Sequence, residues 1–500
     1  MTHKTKIFSN LDSIVGTDTV LCYGHFNVIH PGHLRYLEYA KSLSKNLCIA
    51  LRADKDLDLD EEFKHFSEKE RSAALANLNL VDSIVITSNY SFAEIISIIK
   101  PNFVVLGGEF EDSNDIRITS AFRAANECGS KIIFHAGETH YASSNFLYDE
   151  VSSIEQKNFS KLRKICSSNN ISERDLTQII NNFSKANILV IGDTIVDNYV
   201  ACDPVGLSAE APVMVIKEIE SKQFIGGASI VASHVSSLGA NCHFMSVLGN
   251  DENKFFVEEQ LKKYKVKCSF FIDESRPTTF KTRYLVNNQK ILRVSKIKEH
   301  NISREIENDF LKKFEDVIDG FNGVLLSDFS YGVITTRVLN SIEKICQAKN
   351  IKLFGDIQCS SQIGNISKFK NFDLLTPTEK EARITLSDNN SGIELIAHKL
   401  MDETKCSNLI LKLGADGFIA YENKKNGLRE HIPALNSNPI DVAGAGDSLI
   451  SIMSVCSSVN KPFIHSLILG ACMASLAVGN IGNIPITSDK LKKYISKIFK

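Results

Sequence analysis

The sequence predicts an α/β protein of two parallel-sheet domains, the second carrying a small antiparallel β flap. Three observations lead there. From Thr19 to about Leu147, short β-rich runs alternate with segments of helical periodicity, the pattern of a parallel sheet covered by helices. The alternation restarts at Asn187 and runs to the C-terminus. The chain, at 500 residues, is also too long for a single hydrophobic core.

In the first domain the expected strands are Val20–Tyr23, Leu47–Leu51, Ser83–Thr87, Phe103–Leu106 and Lys131–Phe134. Helical patterns begin between them at Leu34, Ser67, Ser91 and Arg117. The acidic stretch Asp54–Glu62 reads as a solvated loop. A polar stretch from Val151 to Lys185 has helical segments but no strand, and reads as a linker. The expected partition is therefore 1–155, a linker at 156–186, and 187–500. The second domain opens with the strand Ile188–Ile191. Its flap is placed where β-rich sequence lacks helices, around Val213–Phe224 and Ser269–Val294.

Composition narrows the function. With 43% hydrophobic residues, 23% charged residues and a net charge of −2, the chain lacks the basic surplus of a nucleic-acid binder. Its 12 cysteines form no CxxC pair, as expected of reduced thiols in a cytoplasmic protein. No apolar run reaches bilayer length, and the N-terminal MTHKTKIFSN has no secretory apolar core, so a soluble protein is expected.

Two short stretches carry the chemistry. The first, GHFNVIHPGH (Gly24–His33), reads as strand end, tight turn and helix N-terminus. Free backbone N–H groups at a helix start attract anions, and His30 and His33 there would hold phosphate oxygens. The residues alone also permit a metal-ligating pair, or a turn histidine beside a helix-face histidine. The second stretch is Asp441-Val-Ala-Gly-Ala-Gly-Asp-Ser448, opening an apolar helix. Gly444, Ala445 and Gly446 let the backbone aim N–H groups at a phosphoryl group, and Asp447 is placed to take a proton from an attacking hydroxyl. A tight loop with an N-capping aspartate is the plain reading.

Further motifs accompany GAGD: Gly192-Asp193 and Asp197 after a strand, Gly226-Gly227 at a helix start, Thr376-Pro-Thr-Glu-Lys-Glu381, and Leu413-Gly-Ala-Asp-Gly417. In this order they resemble the PfkB, ribokinase-like carbohydrate kinases, across about 187–500. Within that family the similarity is greatest to the kinase half of bifunctional heptose-phosphate kinase/adenylyltransferases, through Leu207–Val213, Lys281-Thr-Arg283, Arg293 and Leu326-Ser-Asp328. The resemblance implies a ribokinase-like domain with Asp447 as general base. Asp193, Asp197, Gly226, Gly227, Lys281, Arg283, Arg293 and Asp328 would lie at the sugar. Gly414, Gly417, Gly444, Ala445 and Gly446 would lie at the nucleotide, with Glu381 organising Mg2+. Arg283 and Arg293 suit a clamp on a sugar phosphate.

The first stretch resembles the HxGH motif of the nucleotidylyltransferase superfamily, here His30-Pro-Gly-His33, over about 18–150. This implies a Rossmann-like domain in which both histidines hold a triphosphate. Gly24, Phe26, Asn27, Gly32, Glu70, Arg71, Ser143 and Ser144 would line the nucleotide. Several positions depart from the family patterns: Ile230 for a sugar-binding asparagine, Asp356-Ile-Gln-Cys359 and Tyr331 where lysines stand, Leu106 for a lysine and Asn27 for an aspartate. The related bifunctional enzyme places its kinase first; here the order is reversed. The expectation is a homodimeric, ATP-dependent sugar kinase joined to a sugar-phosphate nucleotidylyltransferase using ATP or CTP, making a nucleotide-activated sugar such as ADP-heptose. Two other readings stand beside it: activation of a non-sugar phosphate such as glycerol 3-phosphate with CTP, and a retired catalyst that senses nucleotides.

Overall fold

The computed structural model describes residues 6–8, 11, 18–56, 66–88, 90–111, 113, 115–134, 151–287, 289–358, 364–424 and 427–499. The chain divides into two compact units, Met1–Ala142 with Leu386–Lys399, and Ser143–Thr385 with Leu400–Lys500.

The first unit holds a six-stranded sheet of β1 (Lys6–Phe8), β2 (Thr19–Gly24), β3 (Asn46–Leu51), β4 (Ser83–Ile86), β5 (Phe103–Val105) and β6 (Lys131–Ile133). Its order is β1-β4-β3-β2-β5-β6 and every pairing is parallel. β2 is apolar on both faces, as a strand covered on both sides must be. Leu21 and Tyr23 pack with Phe92, Ile95 and Ile96 on one face. Val20 and Cys22 pack with Leu37, Ala40 and Leu75 on the other. Strand order reverses between β2 and β5, which opens a crevice beyond the carboxyl ends of these two strands. The turn that follows β2 is the His30–His33 stretch.

The second unit is built on a nine-stranded sheet. Its strands are β7 (Asn187–Gly192), β10 (Asn241–Leu248), β11 (Lys267–Ile272), β14 (Gly323–Asp328), β15 (Lys352–Ile357), β16 (Leu374–Leu375), β17 (Asn408–Lys412), β18 (Phe418–Glu422) and β19 (Arg429–Ile432). The order is β11-β10-β7-β14-β15-β16-β17-β18-β19, parallel as far as β17 and antiparallel beyond it. A separate four-stranded sheet forms the flap, with β8 (Thr194–Leu207), β9 (Met214–Gly227), β12 (Thr279–Val286) and β13 (Gln289–Lys296) in the order β13-β12-β8-β9. The half of β8 next to Thr194 is largely buried, and so are the last four residues of β9, Phe224–Gly227; the rest of both strands is mostly exposed.

Four expectations change. The flap is not wholly antiparallel: β12 pairs with β8 in parallel register, while β8·β9 and β12·β13 are antiparallel. The flap does not begin at Ser269: β11 contains that residue and extends the main sheet in parallel register with β10. β8, unread in the sequence because Pro204 and Gly206 interrupt its pattern, is a flap strand whose register shifts there. The stretch 156–186 is not a bare tether, since helices Val151–Ser168 and Glu173–Asn181 bury Phe159, Leu162, Leu176 and Ile180 in the same core as Leu491 and Ile495. Those apolar residues recur at helical spacing among polar ones that dominate the composition. Among the described residues, no helix is long and apolar enough to cross a membrane.

Candidate active sites

In the first unit, His30 is the N-cap of helix Pro31–Leu43, and its Nδ1 accepts from the Gly32 N–H at 3.1 Å. That leaves the proton of a neutral His30 ring on Nε2. His33 Nδ1 lies 3.1 Å from the Val28 carbonyl oxygen; a carbonyl only accepts, so here Nδ1 carries the proton. The two rings stack with centroids 4.0 Å apart. Gly32 permits this closeness, because a Cβ there would fall 2.9 Å from the His30 ring. Burial, then the neighbouring His30, lower the pKa of His33, against the Val28 hydrogen bond that raises it. The ring of Phe26, at φ +50°, lies 4.9 Å from the His33 ring, and Gly24 ends β2 two residues earlier.

Other expected nucleotide residues have structural work. Asn27 Oδ1 accepts from the Phe66 N–H at 2.8 Å. Glu70 closes a capping box with Ser67 at the start of helix Glu68–Ala76. Arg71 is 1% exposed and donates to the carbonyls of His25, Arg52 and Phe66 and to Asp54 Oδ1. It braces the chain at His25, Arg52 and Phe66, and Asp54 is its partner rather than part of a merely solvated loop. Leu106, in the place of the family lysine, is fully buried core. Ser143 and Ser144 lie outside the described residues.

In the second unit, the Asp441–Ser448 turn opens helix Ala445–Ser458. Gly444 is its N-cap at φ +81° with no side-chain cap, so the first backbone N–H groups are available to an anion. Asp447 is 5% exposed and its Oδ1 accepts from Gln358 Nε2 at 2.9 Å. Burial and then Asp356 lift its carboxyl to about 7; Asp197 adds to this, while Lys412 and Lys281 pull it down. Lys412, at the end of β17, binds Asp356 Oδ1 at 2.9 Å, and Gly446 presses close enough that a Cβ there would meet Nζ at 3.0 Å. Burial disfavours this ammonium, but Asp356, Glu381 and Asp447 outweigh burial and raise its pKa.

Among the residues expected at the sugar, Asp197 pairs with Arg283 at 2.5 Å and accepts from Asn483 Nδ2 at 2.9 Å. Gly226 leaves room for that carboxylate: a Cβ would stand 2.4 Å from Asp197 Oδ2. Gly227, at φ +63°, turns the chain into helix Ala228–Ser237. Lys281 is buried with Nζ over the rings of Phe329 and Tyr331. Asp328 pairs with Lys368. Asp193 differs from expectation, since its carboxylate accepts the backbone N–H groups of Phe329, Tyr331 and Val333 and braces that turn. Burial, then Asp328, push its pKa up. Arg293 sits opposite Arg283 in the flap register and is exposed. Ile230 belongs to the core. Lysines absent from the family positions thus reach these carboxylates from elsewhere, as Lys368 and Lys412.

Gly414 and Gly417, both at positive φ, form the turn between β17 and β18. Glu381 Oε2 accepts from the Thr378 N–H at 2.7 Å. Among the described residues, no group of three or more His, Cys, Asp or Glu side chains is arranged to hold a metal ion. A magnesium ion carried on nucleotide phosphates needs only one or two carboxylates, and the buried Oδ2 of Asp356, without a hydrogen-bond partner, fits that demand. Spacing concealed Lys412, Gln358 and Asn483, which reach the site from separate elements; only the lysine gaps hinted at a substitute.

The comparisons with known proteins follow this division. Residues 185–490 match the model for pfkB family carbohydrate kinases, and residues 21–153 match the cytidylyltransferase-like model. The protein named Bifunctional protein HldE in Campylobacter jejuni subsp. doylei is 32% identical over 313 residues, covering 62% of this chain and 65% of that protein. Its namesake in Helicobacter hepaticus is 31% identical over 315 residues, covering 62% and 63%. The chain therefore spans a little under two thirds of these relatives. Phosphofructokinase-2 of Escherichia coli, solved with potassium, superposes with a TM-score of 0.52 at 14% identity, over 63% of this chain and 99% of that one, a likeness of fold. The chain belongs to the pfkB family of carbohydrate kinases and carries a cytidylyltransferase-like segment ahead of its kinase segment.

Proposed function

We propose that the chain is a bifunctional enzyme that phosphorylates a sugar or sugar phosphate and joins a sugar 1-phosphate to a nucleotide, giving an activated sugar of the ADP-heptose kind. The observation that carries this reading is Asp447, buried at the uncapped start of helix Ala445–Ser458 with Lys412 beside the same turn. In the kinase unit, Asp447 takes the proton of the acceptor hydroxyl as its oxygen attacks the γ-phosphorus of ATP and ADP leaves. The helix N–H groups, Lys412 and Lys281 offset the charge in flight. Bound magnesium supplies charge neutralisation on the nucleotide, with Asp356 and Glu381 as its protein side. Asp197 and Arg283 orient the sugar.

In the first unit, a phosphate oxygen of the sugar 1-phosphate attacks the α-phosphorus of ATP or CTP, and pyrophosphate leaves. His30 offers an Nε2–H to the triphosphate. His33, neutral at Nε2, gains its second donor when the anion draws a proton onto the ring. We read the two activities as lying in 1–155 and 187–500, in a homodimer working in the cytoplasm. Mass spectrometry of the products formed with each nucleoside triphosphate and a panel of hexose and heptose phosphates tests the proposal. A nucleotide-linked sugar is the expected product; nucleotide bound with no phosphoryl transfer to any acceptor would reject it.

A further inference from the structure

We infer that Asn483 is a specificity-determining residue of the kinase unit, its amide oxygen accepting a hydrogen bond from a hydroxyl of the sugar. The inference rests on the proposed kinase activity and adds a substrate contact to it. Asn483 lies in the segment before the last helix, Ser488–Phe499, and is 9% exposed. Its two amide ends face different turns. Nδ2 donates to Asp197 Oδ2 at 2.9 Å and is 3.2 Å from where a Cβ of Gly226 would stand. Oδ1 is buried with no hydrogen-bond partner and lies 2.6 Å from where a Cβ of Gly444 would stand. The chemistry of the neighbour fixes this orientation: a carboxylate accepts only, so the NH2 must face Asp197 and the oxygen must face the Gly444 turn.

A buried amide oxygen left unpaired costs about 1–3 kcal/mol, so the arrangement is one that a donor completes. The position of that donor is restricted. It must lie between the carboxylate of Asp197 and the turn where the phosphoryl group is held. A polyhydroxylated acceptor places hydroxyls in that interval, one attacking phosphorus and a neighbour facing Oδ1. Gly482 sets the loop: at φ +73° it donates to Asp441 Oδ2 at 3.4 Å, and a Cβ there would strike the Phe224 ring at 2.6 Å. Ile230, buried in the core, offers no such contact, so Asn483 supplies the amide from a different part of the chain.

The test is kinase kinetics on hexose and heptose phosphates and on their single-deoxy analogues, with wild type, Asn483→Leu and Asn483→Ala. In the wild type, removing the one contacted hydroxyl should lower kcat/KM about tenfold, the worth of a single neutral hydrogen bond. Both variants should lose a similar factor on the parent sugar and lose nothing more on that one analogue. If the variants instead lose the same factor on every analogue, Asn483 only holds Asp197 and the inference fails. It fails equally if no analogue separates wild type from variant. Where Asn483→Leu does not fold, Asn483→Ala and the wild-type analogue series still decide. A wild type that phosphorylates no sugar overturns the kinase reading and the inference together, whereas transfer without the deoxy pattern overturns the inference alone.

Discussion

Asp447→Asn should inactivate the kinase and stabilise the protein. The Asp447 carboxyl sits at about 7, against 3.8 for an ordinary aspartate, because it is buried beside Asp356. A carboxyl that ionises less readily folded than unfolded gives stability that is complete below pH 3.8, declines above it, and is lost once the pH passes 7. The penalty carried by wild type at pH 8 is thus up to about 4 kcal/mol, falling to about 2 kcal/mol at pH 5. Asparagine has nearly the same shape, cannot ionise, and still accepts from Gln358 Nε2. Urea unfolding of the kinase unit at both pH values measures the difference, with phosphoryl transfer assayed in parallel. The variant should be the more stable protein at pH 8, by a margin that shrinks at pH 5, while transfer falls about 10²–10⁴-fold. A variant no more stable than wild type at pH 8, or a margin independent of pH, would refute the reasoning about the buried carboxyl. Retained transfer would refute its role as base.

Wild-type kinase turnover should rise with pH through about 7 as Asp447 ionises, and a flat profile across that range would contradict it. Triphosphate binding to the first unit should weaken as pH rises, because His33, whose pKa burial and His30 lower, must take up a proton to gain a donor at Nε2; calorimetry in buffers of different ionisation heat reads that uptake directly. Gly444→Ala should cost about 1–2 kcal/mol in stability through the left-handed backbone and much more in transfer rate, since its Cβ would displace Asn483 Oδ1; thermal melting and kinase kinetics separate the two effects. Arg71→Met should destabilise the first unit by about 3–5 kcal/mol, leaving three carbonyls and Asp54 without their donor, while kinase kinetics stay unchanged.

What the sequence reveals here is local. The GAGD and HPGH turns are legible because their chemistry depends on neighbouring residues and on a glycine at a tight approach, and Val20–Tyr23 or Ile188–Ile191 are legible as apolar runs. Partnerships across the chain are not. Asn483 meets Asp197 across 286 residues and Lys412 meets Asp356 across 56, so no spacing announces either pair. The same limit explains Arg71 and Asp193, charged residues next to motifs that resemble ligand contacts in sequence. In the structure, nearby backbone carbonyls and N–H groups claim them. β8 escapes a local reading because its outer half is exposed and carries Pro204 and Gly206.

The proposed function requires two phosphate-handling centres that act independently within one polypeptide. Phosphorus NMR on Asp447→Asn, supplied with ATP and CTP, magnesium, a sugar or sugar phosphate that the wild-type kinase unit phosphorylates, and a sugar 1-phosphate for the first unit, tests this most directly. Pyrophosphate should appear at the wild-type rate although ATP-dependent phosphorylation of the sugar has stopped. Loss of both signals in the one variant would contradict it.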